Sequence, residues 1–511
     1  MTTAVVHLWR LCKWGRTLAR HGALQGIERD PLTPPNVRRL CRVLRLGIGM
    51  PAIPDYAAAL QEIGPAAIKL GQALSTRPDL VGEAAAANLL QLQDDLPPEP
   101  FLAIKAAIER ALEAPLASLF SEFDEEPVGA ASIAQVHHAV TTEGREVAVK
   151  VLRPGIEEEL ARAIETYEWA AAHVELLGGE AERLRPRLVI AHFKQWTRRE
   201  LDLQREAASA SELRDNMVAE PGFHVPDIDW SRTARRVLTL EWLDGIKLSK
   251  RDELIAAGHD PKALATTLVR AFLRQAVVDG YFHADLHQGN LFALKDGRIA
   301  AIDFGIMGRI DRKARLWLAE ILYGLITGNY DRVAEIHFEA QYVPAHHNVD
   351  EFATALRAVG EPIRGLPVKE ISIGRMLEGL FSITRDFDMQ TQPHLLLLQK
   401  TMVMEEGVAT TLDPDINMWE AAEPFLKDWL RTELGPEAYY ADRIVDTVRA
   451  LKLIPDLIRR IDAAYPPAGA APPPPPLADV AMIEGKGWMT PLAIALGSAA
   501  IAATLTYWLV G

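Results

Sequence analysis

The chain has 511 residues, 49% of them hydrophobic, and a formal charge of -14, enough apolar content for a large core shared among roughly two to four structural units. Two cysteines, Cys12 and Cys41, lie in no CxxC or Cys/His pattern, which excludes a disulfide scaffold or zinc module and points to a reducing, cytoplasmic setting for the folded body. Residues 1–50 hold nine Lys/Arg against two Asp/Glu, a balance of +7, so the other 461 residues carry about -21, which argues against nucleic acid as a partner of the body.

The opening, MTTAVVHLWRLCKWGRTLARHGAL, has no uninterrupted apolar core of signal-peptide length. Arg10, Lys13, Arg16 and Arg20 alternate with Val6, Leu8, Leu11, Trp14 and Leu18 at roughly helical spacing. Residues 1–50 are therefore a basic helical segment that either meets an anionic membrane surface or packs on the body. Residues 51–125 read mostly as helix, from the apolar periodicity of YAAALQEIGPAAIKLGQAL and FLAIKAAIERALEAPLASLF. At 126–152 the pattern changes to strands, PVGAASIAQVHHAV and REVAVKVL, about a turn at Thr142-Glu143-Gly144. Helix returns at 156–178 and 190–216, RRVLTLEWLDG (235–245) reads as a buried strand running into a loop, and 312–460 is largely helical. This order predicts an α+β fold, with a strand-bearing unit over 126–245 and a helical one over 246–465.

Beyond it, PPAGAAPPPPPLA (466–478) is an extended linker. PLAIALGSAAIAATLTYWLV (491–510) runs 20 residues without a charge, long enough as a helix for a bilayer core of ~30 Å, with Trp488, Tyr507 and Trp508 near its ends. The expectation is a membrane protein, single-pass by a C-terminal transmembrane helix, with the folded domain in the cytoplasm, at the inner membrane in a bacterium.

The chemistry centres on FHADLHQGNLF (282–292). Asp285 and Asn290 stand five apart in a loop, and Asp303 follows the apolar IAAI and precedes Phe304-Gly305. Asn290 and Asp303 with phosphate oxygens form the oxygen set that Mg2+ prefers, and Asp285 suits orientation of an attacking hydroxyl or water. An alternative makes His283, Asp285 and His287 a transition-metal site, leaving Asn290 and Asp303 without roles. Lys150, ending VAVK, could reach α- and β-phosphates. Upstream, the phosphate-loop frame GxGxxGxV falls on Gly129, Ala131, Ala134 and Val136, with Ala130 and Ser132 between. Alanine at two of three glycine positions implies a stiffer cover than a glycine loop gives. In ELDLQRE, Glu206 is assigned to Lys150, and Asp202 and Glu206 share a face of a helix over 197–216. Glu241 and Leu243, in EWLDG, offer backbone to an adenine edge as a hinge.

These pieces, in this order, resemble the UbiB family of atypical kinases. AIKLGQALSTRPDL (67–80) carries that family's KxGQ hallmark at Lys69, Gly71 and Gln72, joined by GAASIAQVH, VAVKV, ELDLQREAASA, LEWLDG, HADLHQGN and DFG. The resemblance covers roughly residues 50–310. It implies a protein-kinase-like two-lobed fold whose N-terminal helical KxGQ extension lies over the place where ordinary kinases take peptides. Lys69 and Gln72 would meet Glu200 and Asp202, Lys150 would pair with Glu206, Asp285 would be catalytic, and Asn290 and Asp303 would hold magnesium for ATP. The implied activity is a membrane-anchored, Mg2+-dependent ATPase in ubiquinone biosynthesis. Its partners would be isoprenoid quinone precursors or membrane lipid, and ubiquinone-biosynthesis enzymes. A small-molecule or lipid kinase, and a non-catalytic nucleotide-switched scaffold, are the alternatives. Two features depart from expectation: Gly129 stands where the family commonly has alanine, and no Ala-Pro-Glu segment follows DFG. The second agrees with the family and argues against general protein phosphorylation.

Overall fold

A computed structural model describes residues 3–29, 35–49, 53–75, 96–175, 185–362, 386–389, 393–416 and 418–433, with positions 33, 51, 81, 85, 88, 89, 92 and 383 between them. Within these residues the chain forms two compact units. One holds the chain up to Ala208 together with Asp227–Trp242, and the other holds Ser209–Pro226 and the chain from Leu243 onward.

The first unit opens with helices built on short-range signals. Asp55 caps helix Tyr56–Ile63 by accepting the Ala58 amide at 3.0 Å, satisfying one of the orphan donors of a helix start. Gly64, at φ 122°, ends it and hands the chain to helix Pro65–Ser75, with proline at the position where a missing N–H costs nothing. Helix Thr3–Arg20 buries Leu11 and Leu18 in a core with Leu60, Leu74 and Val174. Of the two readings of the basic opening, its apolar face thus packs on the body.

The stretch FLAIKAAIERALEAPLASLF, read from its periodicity as helix, is not one helix. Helix Phe101–Leu112 ends at Glu113, φ 54°, and after a turn at Leu116–Leu119 the chain enters strand β1 (Phe120–Phe123). Pro115 cannot donate to a continuing helix, and Phe120 is buried among Ala139, Val147 and Val149. Strands β2 (Gly129–Ala130), β3 (Ala134–Thr141), β4 (Glu146–Leu152) and β6 (Val237–Glu241) complete an antiparallel sheet of order β1-β3-β4-β6, with β2 on β3. The β3–β4 hairpin turns through Gly144 at φ 83°, a conformation glycine adopts without steric cost.

The expected helix at 190–216 is two helices, Pro186–Glu200 and Leu203–Met217. The break falls at Leu201-Asp202, where the Leu203 amide leaves the helical ladder for the Arg235 carbonyl at 2.9 Å. Asp202 and Glu206 therefore do not share one continuous helical face.

In the second unit, β5 (Phe223–His224), β7 (Gly245–Lys247), β9 (Leu291–Leu294) and β10 (Ile299–Ala301) form a sheet of order β5-β10-β9-β7, and β8 (Tyr281–His283) pairs with β11 (Met307–Arg309). Short strands thus interrupt the helical stretch expected from residue 246. Helix Pro261–Leu273 runs into a π-helical turn, Arg274–Asp279, closed by Gly280. Helices Arg312–Thr327, Tyr330–Glu339 and Val349–Gly360 follow, then Pro393–Leu412 and Met418–Glu433.

The expected single-pass membrane placement is corrected: among the described residues no helix is long and apolar enough to cross a membrane. The linker 466–478 and the apolar segment 491–510, on which that expectation rested, lie outside the described residues.

Candidate functional site

In the first unit, register directs the lysine. Lys150 on β4 faces Val136 on β3 and Leu238 on β6, between fully buried Val149 and Val151. Its Nζ donates to Glu206 Oε1 at 2.8 Å from helix Leu203–Met217, with side-chain exposures of 15% and 7%. At that depth neither charge is tolerable without its counter-ion. Lys69 lies on helix Pro65–Ser75, its Nζ 3.3 Å from Glu200 Oε1 and 5.6 Å from the Trp196 ring centroid. Of the expected set, Lys69 and Glu200 are brought into an ion pair; Asp202 stands in the break between helices, and Gln72 is half-buried beside Gly71. Gly71 has a steric reason: a Cβ there would come within 2.5 Å of Leu60 Cδ1 and of Leu92 Cδ1.

The alanine-rich loop is braced. Gly129 and Ala130 pair with Val136 and Gln135, and the Ala131 amide closes a turn onto the Ala134 carbonyl at 2.8 Å. Ser132 inside that turn is fully buried. Arg153 fastens the turn: its Nε donates to the Ala131 carbonyl at 2.9 Å, and its other guanidinium nitrogens reach the carbonyls of Leu96 and Pro97 and the Glu99 carboxylate. Gly129 has no neighbour within 4 Å of an added Cβ and no positive φ, so its departure from alanine answers no steric demand here. Glu241 is tied into the sheet, its amide donating to the Asp227 carbonyl and its carboxylate accepting the Asp227 amide. Leu243 is half-buried in the second unit, whose boundary falls after Trp242.

In the second unit, backbone pairing gathers the three predicted oxygen donors. Strand β8 pairs His283 with Met307, and the Ala284 amide donates to the Ile306 carbonyl at 3.0 Å. Asn290 Nδ2 donates to the Asp285 carbonyl at 3.2 Å. The β9–β10 hairpin sets Leu291 against Ala301, and the Ile302 amide reaches the Asn290 carbonyl at 2.9 Å. Asn290 and Asp303 therefore stand at one end of that hairpin, with Asp285 bonded to the first. Asp303 has φ 64°, and its Oδ1 accepts the Gly305 amide at 3.2 Å. Aspartate tolerates this left-handed conformation better than most residues.

His283 supports the loop from beneath. It is fully buried, its Nδ1 accepts the Asp285 amide at 3.1 Å, and its ring meets Phe304 edge-on at 5.5 Å. Burial pushes its pKa down against the opposing pull of the Asp285 and Asp303 carboxylates. The ring is neutral, with its proton on Nε2. The transition-metal alternative gains no support: His283 Nδ1 and His287 Nδ1 accept the Asp285 and Gly289 amides, and these three side chains form no metal-competent cluster among the described residues. Among the described residues the one metal-competent cluster is elsewhere, at His346, His347 and Asp388.

Sequence reading missed Lys400 and Arg153. Lys400 Nζ, on helix Pro393–Leu412, stands 3.5 Å from Asp285 Oδ1. The signal was a single cation in the apolar run LLLLQKTMVM. Arg153, directly after β4 in VLRPG, gave no signal beyond its place at a strand end.

A mixed helix-and-sheet fold with a strand lysine held by a helical glutamate, and an Asp/Asn loop followed by Asp-Phe-Gly, defines a kinase-like protein. The ABC1 atypical kinase-like domain matches residues 91–337 and the UbiB helical domain matches residues 356–417. The chain is 42% identical over 382 residues to the "Probable protein kinase UbiB" of Marinobacter nauticus, covering 74% of this chain and 70% of that one. A solved structure, that of Rv3197 from Mycobacterium tuberculosis in complex with erythromycin, is 26% identical at a TM-score of 0.48, over 71% of this chain and 93% of that one. This chain belongs to the UbiB family of ABC1 atypical kinase-like proteins.

Proposed function

We propose that the chain binds ATP with Mg2+ and hydrolyses it, and that this activity serves ubiquinone biosynthesis by handling isoprenoid quinone precursors, or membrane lipid, for the enzymes that modify them. The observation that supports this most directly is the gathering of Asp285, Asn290 and Asp303 around one hairpin end and its neighbouring loop. Their donors are hard oxygens, which fit magnesium and phosphate and not a zinc-like cation. Asn290 and Asp303 would hold the ion, which when bound offsets the repulsion between phosphates and carboxylates. Asp285 would orient the attacking oxygen, and Lys150, fixed by Glu206, would take α- and β-phosphate charge. The alanine-rich loop, pinned by Arg153, suits a rigid cover for a nucleotide.

The test is phosphate release from ATP by the full chain. Hydrolysis should need Mg2+ and stop with a chelator. Asp303→Asn, which keeps the side chain's shape and its tolerance of positive φ, should cut turnover at least ~100-fold, as expected for loss of an electrostatic catalytic group. Unchanged turnover in that variant would sink the enzymatic reading. With γ-labelled ATP, label in free phosphate supports hydrolysis, whereas label in a lipid or small molecule makes the protein a kinase of that molecule.

A further inference from the structure

Away from the kinase-like residues, the ligand atoms of His346, His347 and Asp388 come together in one cluster. His347 Nε2 lies 3.2 Å and His346 Nε2 3.5 Å from the same Asp388 Oδ2, and the three ligand atoms lie within 4.8 Å of one another. Bonds of 2.0–2.2 Å at tetrahedral angles put ligand atoms roughly 3.3 Å apart, which matches the two His–Asp edges. As a hydrogen bond, the longer of the two contacts is at the limit of such a bond.

The cluster is held by packing. The histidines sit in a turn closed by the His347 amide on the Pro344 carbonyl, directly before Asn348, which caps helix Val349–Gly360. Asp388 follows Phe387, whose ring meets Phe352 at 4.9 Å and the His347 ring at 5.2 Å. Phe352 is fully buried in a core with Tyr330, Val333 and Ile383. The two ligand-bearing turns, 41 residues apart in sequence for His347 and Asp388, are thus set by one apolar core. Two imidazoles and one carboxylate are borderline donors that choose a zinc-like ion over magnesium. His346 and His347 fall between the two family-matched stretches, 91–337 and 356–417.

We propose that His346, His347 and Asp388 bind a divalent transition-metal ion of the zinc class, with water completing the tetrahedron, and that the ion clips the 344–347 turn to the 387–389 turn. His346 is the outermost ligand, with a side-chain exposure of 66%, so the ion can enter from solvent.

The test is titration of the nucleotide-free full chain with Co2+, which reports four-coordinate geometry by a strong visible absorption that a six-coordinate oxygen site lacks. One Co2+ per chain should bind with that band, Zn2+ should displace it, and Zn2+ should raise the thermal midpoint. His347→Ala and Asp388→Asn should each weaken Co2+ binding at least tenfold and abolish the Zn2+-dependent midpoint shift. Their metal-free midpoints report whether the fold persists, and His346→Ala, altering the most exposed ligand, serves if either unfolds. Only a weak six-coordinate spectrum, or a strong band unchanged in these variants, would overturn the assignment.

Discussion

Lys400 Nζ stands 3.5 Å from Asp285 Oδ1, joining helix Pro393–Leu412 to the loop that carries the predicted catalytic aspartate. Both side chains are about one-third exposed, so the pair contributes only ~0–1 kcal/mol to stability. Its value lies in direction: under the proposed role of Asp285, a cation beside one carboxylate oxygen leaves the other for the attacking group. Lys400→Met should leave the thermal midpoint nearly unchanged while lowering kcat about tenfold, equivalent to ~1.4 kcal/mol of transition-state stabilisation. KM for ATP should change little, and Lys400→Arg should recover part of the loss. A methionine variant with full kcat would reduce the contact to surface electrostatics.

The Lys150–Glu206 pair obeys a different balance. With exposures of 15% and 7%, removing either partner takes from the other its counter-charge at 2.8 Å in a poorly solvated place, at a cost of ~3–5 kcal/mol. Glu206→Leu and Lys150→Met should each lower the urea midpoint strongly, and the double variant should be markedly more stable than the sum of the two losses predicts. ATP binding should be lost in all three. Strict additivity of the stability losses would mean that the two side chains do not act as a pair.

Much of this arrangement was legible in the sequence because its signals are local or nearly so. The β3–β4 hairpin follows from alternation around Thr142-Glu143-Gly144, and the carboxylate assigned to Lys150, Glu206, lies in the nearby helical run ELDLQRE that the family resemblance also marks. The misread elements are those set by distant contacts. Periodicity carried FLAIKAAIERALEAPLASLF through as helix, although Pro115 breaks it and the strand beyond is made by burial of Phe120. The break at Leu201-Asp202 exists because Arg235, far along the chain, offers a carbonyl to Leu203. Lys400 and Arg153 act through partners that no spacing rule connects to them.

Gly308 gives a steric test of the β8–β11 ribbon beneath the Asp285 loop. A Cβ at this position would run into the Phe282 ring, which is fully buried. Since the ring lies in a packed interior, it cannot simply swing away. Gly308→Ala should destabilise by ~1–3 kcal/mol, the usual cost of overpacking, and Phe282→Leu in the same chain should restore part of it. Calorimetric midpoints of the single and double variants decide the matter, and an alanine variant as stable as the parent would mean that the ribbon and ring are not packed as described.

Glu405 contributes to the pH dependence of stability. It is fully buried midway along helix Pro393–Leu412, and neither carboxyl oxygen has a hydrogen-bond partner among the described residues. Burial holds its pKa well above the ordinary carboxylate range, so the native state keeps a proton that the unfolded chain releases above ~4.3. In that window the unfolded state binds fewer protons, and stability must fall as pH rises until the native pKa is passed, by up to ~1.4 kcal/mol per pH unit. His283 works on the other side. Its lowered pKa means that the unfolded chain gains a proton below ~6.5 that the native state refuses, so this contribution to stability is lost as pH falls. Glu405→Leu removes the first effect and leaves the second. Urea midpoints between pH 5 and 8 should therefore rise with pH more steeply in the variant than in the parent, and at pH 7 the variant should be more stable by ~1–3 kcal/mol, the cost of an unsatisfied buried polar group. Parallel pH curves for the two proteins would show that Glu405 is ionised in the native state.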